Sequence, residues 1–252
     1  SFPYPVVDTK KGLQVVDYAD ARELGVRHSA INVNEGDFLM LTPEEGNTIF
    51  FEYEGRTFYF RKSHVEKMDE TFIGLSEIGC VISFILLNSP HWRCDIDPAF
   101  WEIIKHPAYT GKGEDGTGLI SAFNLVTEEG LAYYRAFIAF LTDRYTREDK
   151  AFGRVVGMIV SNEVDAGYIW ANSGEMTMED LCPRVRHGAS RDLADRRLHL
   201  RQYACLRLHR PLLDSGHGRE PASALLQDPR YAGLPQRAGH RAGSDPLAHR
   251  PP

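Results

Sequence analysis

The chain has 252 residues, 42% hydrophobic and 11% aromatic, which is ample for a packed core in one large domain. No apolar run approaches the length of a membrane span, so no membrane partner is expected, and the formal net charge of -6 hides two unlike parts. Residues 1–180 carry 16 Lys+Arg against 29 Asp+Glu, whereas residues 181–252 carry 13 Arg, no Lys and 6 acids. The chain opens SFPYP without an initiator Met or a signal-peptide pattern, which reads as a trimmed start and assigns no compartment. Cys80 and Cys94 are the only cysteines before position 181, too few for a disulfide framework, and read as ordinary thiols.

Lys11 to Gly25 has apolar residues at helical spacing (Leu13, Val16, Tyr18, Ala21, Leu24) and ends in a C-capping glycine, which predicts a helix. Val26 to Asn34 is a short strand ending in Asn32 and Asn34. Ile49 to Phe60 is two aromatic-rich runs about Glu54-Gly55, an inserted hairpin. Ser63 to Gly79 is helical, with Ser63 and Glu66 at capping-box spacing. Cys80 to Leu87 is a second buried strand followed by Asn88.

Ser89 to Gly118 reads as a loop. Its GKGEDGTG has the composition of a phosphate loop but not the spacing, and Asp95 and Asp97 lack the continuation of a calcium loop. Leu119 to Val126 is a third strand, with Asn124 near its end. Thr127 caps a long amphipathic helix through Tyr145. Val155 to Val160 is a fourth strand, a continuous apolar run of the kind covered on both faces, and it breaks into Ser161-Asn162-Glu163.

Strand and helix thus alternate, and polar residues recur at strand ends: Asn32 and Asn34, Asn88, Asn124, Asn162 and Glu163. That pattern predicts an α/β fold, a (β/α)8 TIM barrel of which about four native strands are present, with a polar C-terminal rim. A doubly wound open sheet shares the alternation, but no G-x-G-x-x-G turn follows a strand. The first strand has no H-x-H pair for a metal-dependent hydrolase, and no metal, cofactor or nucleic-acid partner is expected. The sequence sets no oligomeric state.

From Leu181 onward Phe, Trp, Ile, Met, Lys, Asn and Thr are absent, while Arg, His, Pro, Leu, Ala and Gly dominate. A basic disordered tail is one explanation; a slipped reading frame is the other. With synonymous codons chosen and the first nucleotide dropped, the stretch reads YVREYATALRATWLIAG, then PVYVSIDHFW, YYKTRDMLDCLNELAIAQG and IPWHIAH. These are helix, strand, helix and strand in the rhythm of residues 1–180. A single-nucleotide insertion near Asp180 is therefore expected. Residues 1–180 are then the N-terminal part of the barrel, and 181–252 an aberrant, poorly ordered Arg/Pro/His-rich tail that does not build strands five and six. The six tail histidines then carry no selected chemistry, and open sheet edges predict poor solubility.

An Asn-Glu pair ending a fourth strand resembles clan A glycoside hydrolases, retaining enzymes on (β/α)8 barrels. More closely, KKGLQVVDYADARELGVRHSAINVN, FFEYEGRTFYF, HPAYTGKGEDGTGLISAFN and VVGMIVSNEVD resemble the bacterial family known as domain of unknown function 5722. The clan resemblance implies Glu163 as general acid/base, Asn162 as partner of the sugar 2-hydroxyl, and a nucleophilic Glu on strand seven that has no counterpart in this chain. The expected partner is a carbohydrate, and the chain as it stands is expected to be inactive. The non-catalytic alternative is a carbohydrate-binding barrel. Asn32, Asn34, Asn88 and Asn124 are either sugar-binding rim residues or strand-ending turn formers. Tyr168 and Trp170 either stack on a sugar or pack a loop. His91, Trp92 and Arg93 follow the second strand, where a barrel presents its rim, and are either site residues or loop packing, and His28 reads as a core histidine.

Overall fold

The computed structural model of the protein describes residues 5–14, 17–94, 96–161, 163 and 167–174. In chain order these form β1 (Gly12–Leu13), α1 (Tyr18–Glu23), β2 (His28–Asn34), α2 (Glu35–Phe38), β3 (Leu39–Met40), β4 (Thr48–Tyr53) and β5 (Arg56–Arg61). There follow α3 (Lys62–Glu77), β6 (Val81–Leu87), α4 (Pro98–Ile104), α5 (Glu128–Tyr145), β7 (Val155–Val160) and α6 (Gly167–Trp170). Strands β1, β2, β6 and β7 make a four-stranded sheet in that order, every neighbouring pair parallel; β3, β5 and β4 make a small antiparallel sheet. The fold is thus mixed α/β. The tail from Leu181, with its expected change of frame, lies outside the described residues, as do Asp95 and Asn162.

The parallel sheet buries one face. Ser29, Ile31 and Val33 of β2, Ile82, Phe84 and Leu86 of β6, and Val155 and Met158 of β7 are buried, joining Val65, Phe72 and Leu75 of α3 and Phe137, Leu141 and Tyr145 of α5. Phe84 meets Phe72 at 5.1 Å and Tyr145 at 5.5 Å between ring centroids. Truncating such a ring to alanine costs about 3–5 kcal/mol, so this cluster outweighs the surface ion pairs. The other face is covered less: Ala30, Ser83, Ile85 and Ile159 are half-buried and Asn32 is exposed. Val155–Val160 is therefore not covered on both faces, as its continuous apolar run suggested. Its continuity comes from a bulge. Ile82 pairs with Val155 but Ser83 with Gly157, so Val156 is an extra residue.

The hairpin forms where expected. Glu54 and Gly55 both take positive φ (50° and 76°), the two-residue turn whose twist matches the strands. It packs on α5, with Phe60 stacked on Phe140 at 3.8 Å, and Arg56 bonds both carboxyl oxygens of Glu129. Behind α3, Asp69 accepts from Arg144 Nε (2.9 Å), Arg144 Nη2 (2.6 Å) and the Tyr145 hydroxyl (3.0 Å), a buried network joining α3 to α5.

Five local expectations are corrected. Lys11–Gly25 is not one helix: Gly12–Leu13 pairs with His28–Ser29, and α1 begins after Asp17, whose carboxylate caps Ala19 and Asp20. Sheet pairing there overrides helical spacing. Leu119–Val126 is no strand of the parallel sheet, because β6 and β7 pair directly and leave it no slot; it bridges Asn88, Lys105 and Asn172 instead. The loop Ser89–Gly118 contains α4, started by Asp97 as cap and Pro98 in the first turn. His28 is half-buried on the less covered face, not in the core. Finally, α3 starts at Lys62 with no side-chain bond from its cap residue Arg61. Its first amides are taken by Asn47, whose carbonyl accepts from Lys62 N (3.0 Å) and whose Oδ1 accepts from Ser63 N (2.8 Å).

That cap across the chain is testable. Asn47→Ala is expected to lower stability by about 1 kcal/mol, and Ser63→Ala to change it by less than about 0.5 kcal/mol, both read from urea unfolding midpoints. A larger loss for Ser63→Ala would restore the local capping box.

Candidate functional site

Parallel pairing points every strand of the main sheet the same way, so their C-terminal ends share one edge. In register, Asn34 lies beside Leu87 and Leu86 beside Val160. Asn34, Asn88 and the turn through Glu163 therefore succeed one another along that edge. Gln14, just past β1, joins them by donating from Nε2 to Asn32 Oδ1 at 2.8 Å.

The asparagines divide by exposure. Asn32 is exposed and Asn34 half-buried. Asn34 Nδ2 donates to Asp37 Oδ2 at 3.0 Å, and its Oδ1 accepts from the Ser89 hydroxyl. Asn88 and Asn124 are buried. Asn88 Nδ2 donates to the carbonyls of Ile104 (2.7 Å) and Ala122 (3.3 Å). Asn124 Nδ2 donates to Ile103 O and Thr127 Oγ1, both at 2.8 Å, while its Oδ1 accepts from Val126 N and Thr127 N. A Cβ on Gly130 would meet the Asn124 side chain at 2.4 Å, so the first turn of α5 needs glycine there. These two amides tie loop to sheet and helix.

Glu163 is exposed. The chain reaches it through left-handed backbone, φ 65° at Ser161 and 45° at Glu163. Non-glycine residues held there cost about 1–3 kcal/mol each and cluster at working sites. Asn162 between them lies outside the described residues. Trp170 is half-buried on α6, whereas His91, Trp92 and Arg93 are exposed.

Two features carried no expectation from the sequence, and a third joins two side chains that the sequence had already singled out. Glu35, one residue past β2, is 1% exposed, and neither carboxyl oxygen has a hydrogen-bond partner among the described residues. Burial pushes its pKa well above the usual carboxylate value. The signal was present: Asn34-Glu35 is a second Asn-Glu pair after a strand. Asn172 is the next. Its Oδ1 accepts from Thr110 N at 3.1 Å, its Nδ2 donates to Tyr168 O at 2.9 Å, and its main chain pairs with Ile120 and Ala122. The third is a pair of exposed rings, Trp92 at 40% and Tyr168 at 59%. Both are fastened to one segment: Tyr168 O accepts from Gly118 N, and Tyr109, whose hydroxyl lies against Trp92, donates to Gly118 O at 2.6 Å. Lys112 Nζ sits 5.0 Å from the Trp92 ring centroid.

Among the described residues no three His, Cys, Asp or Glu gather as a metal site, and no helix is long and apolar enough to cross a membrane. In comparison with known families, the model of the Family of unknown function (DUF5722) matches residues 3–184. No curated protein matches the chain.

The buried carboxyl gives a pH signature. An unfolded chain ionises Glu35 near 4.5, the folded one only well above that. The unfolded state therefore loses its proton first, and stability falls as pH rises from 4.5 toward the raised folded value. The slope reaches about 1.4 kcal/mol per pH unit for one group. Glu35→Gln is expected to remove that component, so its advantage over wild type in urea midpoint grows between about pH 5 and about pH 7. Parallel pH profiles for the two proteins would rule the component out.

Proposed function

The chain belongs to the family of unknown function DUF5722, and on that premise we propose that the product of its intact reading frame is a retaining glycoside hydrolase on a (β/α)8 barrel, with Glu163 as general acid/base. The observation that carries this reading is position. Glu163 is exposed directly after the last of four parallel strands laid down in sequence order, at the edge where the strands end. Barrels present their chemistry at that edge. The one-way order also favours a barrel, since a doubly wound sheet reverses direction at its binding crevice. The strand count is kept by different members than the sequence suggested: β1 supplies the first, and Val155–Val160 is still the fourth.

Two Asn-Glu pairs compete for the role, and accessibility separates them. Glu35 is sealed in the core, whereas Glu163 can meet a substrate. In the proposed reaction the Glu163 carboxyl protonates the leaving glycosidic oxygen, and its carboxylate then activates water against the glycosyl-enzyme. The second carboxyl must stand about 5–5.5 Å away; the clan resemblance puts it on a seventh strand. Asn162 hydrogen-bonds the sugar 2-hydroxyl, Asn32 and Asn34 line the rim, Trp170 borders it, and Asn88 and Asn124 hold the loop beneath.

The change of residue alphabet at Leu181 and the end of the family match at residue 184 support a frame change near Asp180. Sequencing the gene across that codon tests it, and an uninterrupted frame there sinks the idea. With the frame restored, the protein is expected to cleave an aryl glycoside or polysaccharide. Glu163→Gln is expected to lower kcat by about 10²–10⁴-fold, the range of general acid/base catalysis; undiminished turnover in the variant refutes the assignment.

The exposed rings of Trp92 and Tyr168 favour a second reading, a carbohydrate-binding barrel without catalysis. Glycan binding with no turnover across a broad panel, together with no carboxylate ending strand seven, would select it.

A further inference from the structure

Among the buried side-chain oxygens with no hydrogen-bond partner among the described residues are both carboxyl oxygens of Glu35 and Oδ1 of Asn88. The two residues are distant in sequence, yet each is the first residue past its strand, and the last residues of those strands, Asn34 and Leu87, are paired. On β2 the core-facing residues are Ser29, Ile31 and Val33, and on β6 they are Ile82, Phe84 and Leu86, all at most 2% exposed. Ile31 pairs with Phe84 and Val33 with Leu86. Carried one position past the last pair, Asn34 with Leu87, the same phase brings Glu35 and Asn88 to the core face, and both are buried, at 1% and 0% exposed. Asn34 between Val33 and Glu35 is still extended, at φ -91° and ψ 132°, so the line of the strand continues through Glu35. Adjacent parallel strands lie about 4.8 Å apart, a span that one Glu–Asn hydrogen bond bridges.

An ionised Glu35 would set acceptor against acceptor in the core, and an unpaired buried carboxylate is far costlier than a neutral acid. The Asn88 amide cannot relieve this by turning its Nδ2 toward Glu35, because that nitrogen already holds the carbonyls of Ile104 and Ala122. A neutral carboxyl has one O–H to give, and Asn88 Oδ1, just past the neighbouring strand, is an acceptor that lacks one.

We infer that Glu35 donates a carboxyl proton to Asn88 Oδ1 and is thereby the positioning residue for the rim segment between Ile104 and Asn124. The bonds run on from there. The Asn88 carbonyl accepts from Ser121 N (3.0 Å), Ala122 N donates to Asn172 O (2.9 Å), and Asn172 Nδ2 reaches Tyr168 O (2.9 Å). The buried acid after β2 is thus tied, through β6 and the rim segment, to the stretch that follows Glu163. This holds whether or not the rim cleaves a glycoside.

The test uses the full chain and needs no substrate. Infrared difference spectra between wild type and Glu35→Gln at neutral pH should show the carbonyl stretch of one protonated carboxyl, shifted in Asn88→Ala. Hydrogen exchange at the Ser121 and Ala122 amides should be about tenfold faster in Glu35→Met, the factor one net hydrogen bond carries. It should be unchanged in Glu35→Gln, whose amide supplies the donor again. A missing carboxyl band overturns the inference, as does equal exchange in the Gln and Met variants. If Glu35→Met does not fold, the infrared comparison alone decides.

Discussion

The parallel pairing of β2 with β6, kept in one register from His28–Val81 to Asn34–Leu87, is the constraint on which the rest of the structure rests. It sets Ile31 beside Phe84 and Val33 beside Leu86, a strip of apolar side chains that α3 and α5 can cover together. A slip of one residue would turn Ala30, Asn32 and Asn34 into the core and Ile31 and Val33 out of it. The same register fixes the rim. The residues just past the strands, Glu35 and Asn88, inherit the phase of the core face, and Asn32 and Asn34 that of the open one.

Elements decided by neighbours in sequence were legible. The Glu54-Gly55 turn, the Thr127 cap of α5 and the apolar runs of β2, β6 and β7 all carry their own chemistry within a few residues. Elements decided by distant partners were not. Strand β1 is two residues long and exists through pairing with β2. Leu119–Val126 has a strand's composition, but direct pairing of β6 with β7 leaves it on the rim. The start of α3 shows how a distant cap outcompetes a local one, because the Asn47 side chain and carbonyl reach the first helical amides before Ser63 is needed. Helix α4 is a different case, since Asp97-Pro98 is a local start signal inside a stretch whose Pro and Gly content reads as loop.

The rim was legible as a place and less so as a set of roles. Strand-ending asparagines do mark the edge, yet composition cannot tell an amide that faces solvent from one that ties down main chain. Asn32 is exposed, while Asn88 and Asn124 spend their Nδ2 groups on the loop leading into α5. The difference lies in phase: Asn88 falls on the core face of β6 and Asn32 on the open face of β2. Phase depends on register, and register is set by strands fifty residues apart.

Backbone phase at the strand ends also separates two identical dipeptides. Asn34-Glu35 follows a strand whose core residues are Ser29, Ile31 and Val33, so Glu35 continues inward and is buried. On β7, Val155 faces the core beside Ile82, and unbroken alternation would send Gly157, Ile159, Ser161 and Glu163 inward as well. The extra residue Val156 reverses this: beyond it Met158 and Val160 are the residues packed against the core, and Ile159 lies on the open face. Val160 ends β7 toward the core, the left-handed backbone at Ser161 stops the alternation there, and Glu163 is exposed. The end of β2 differs: Asn34 stays extended and carries the core phase into Glu35, whereas β7 has a bulged valine and a left-handed residue after its last position.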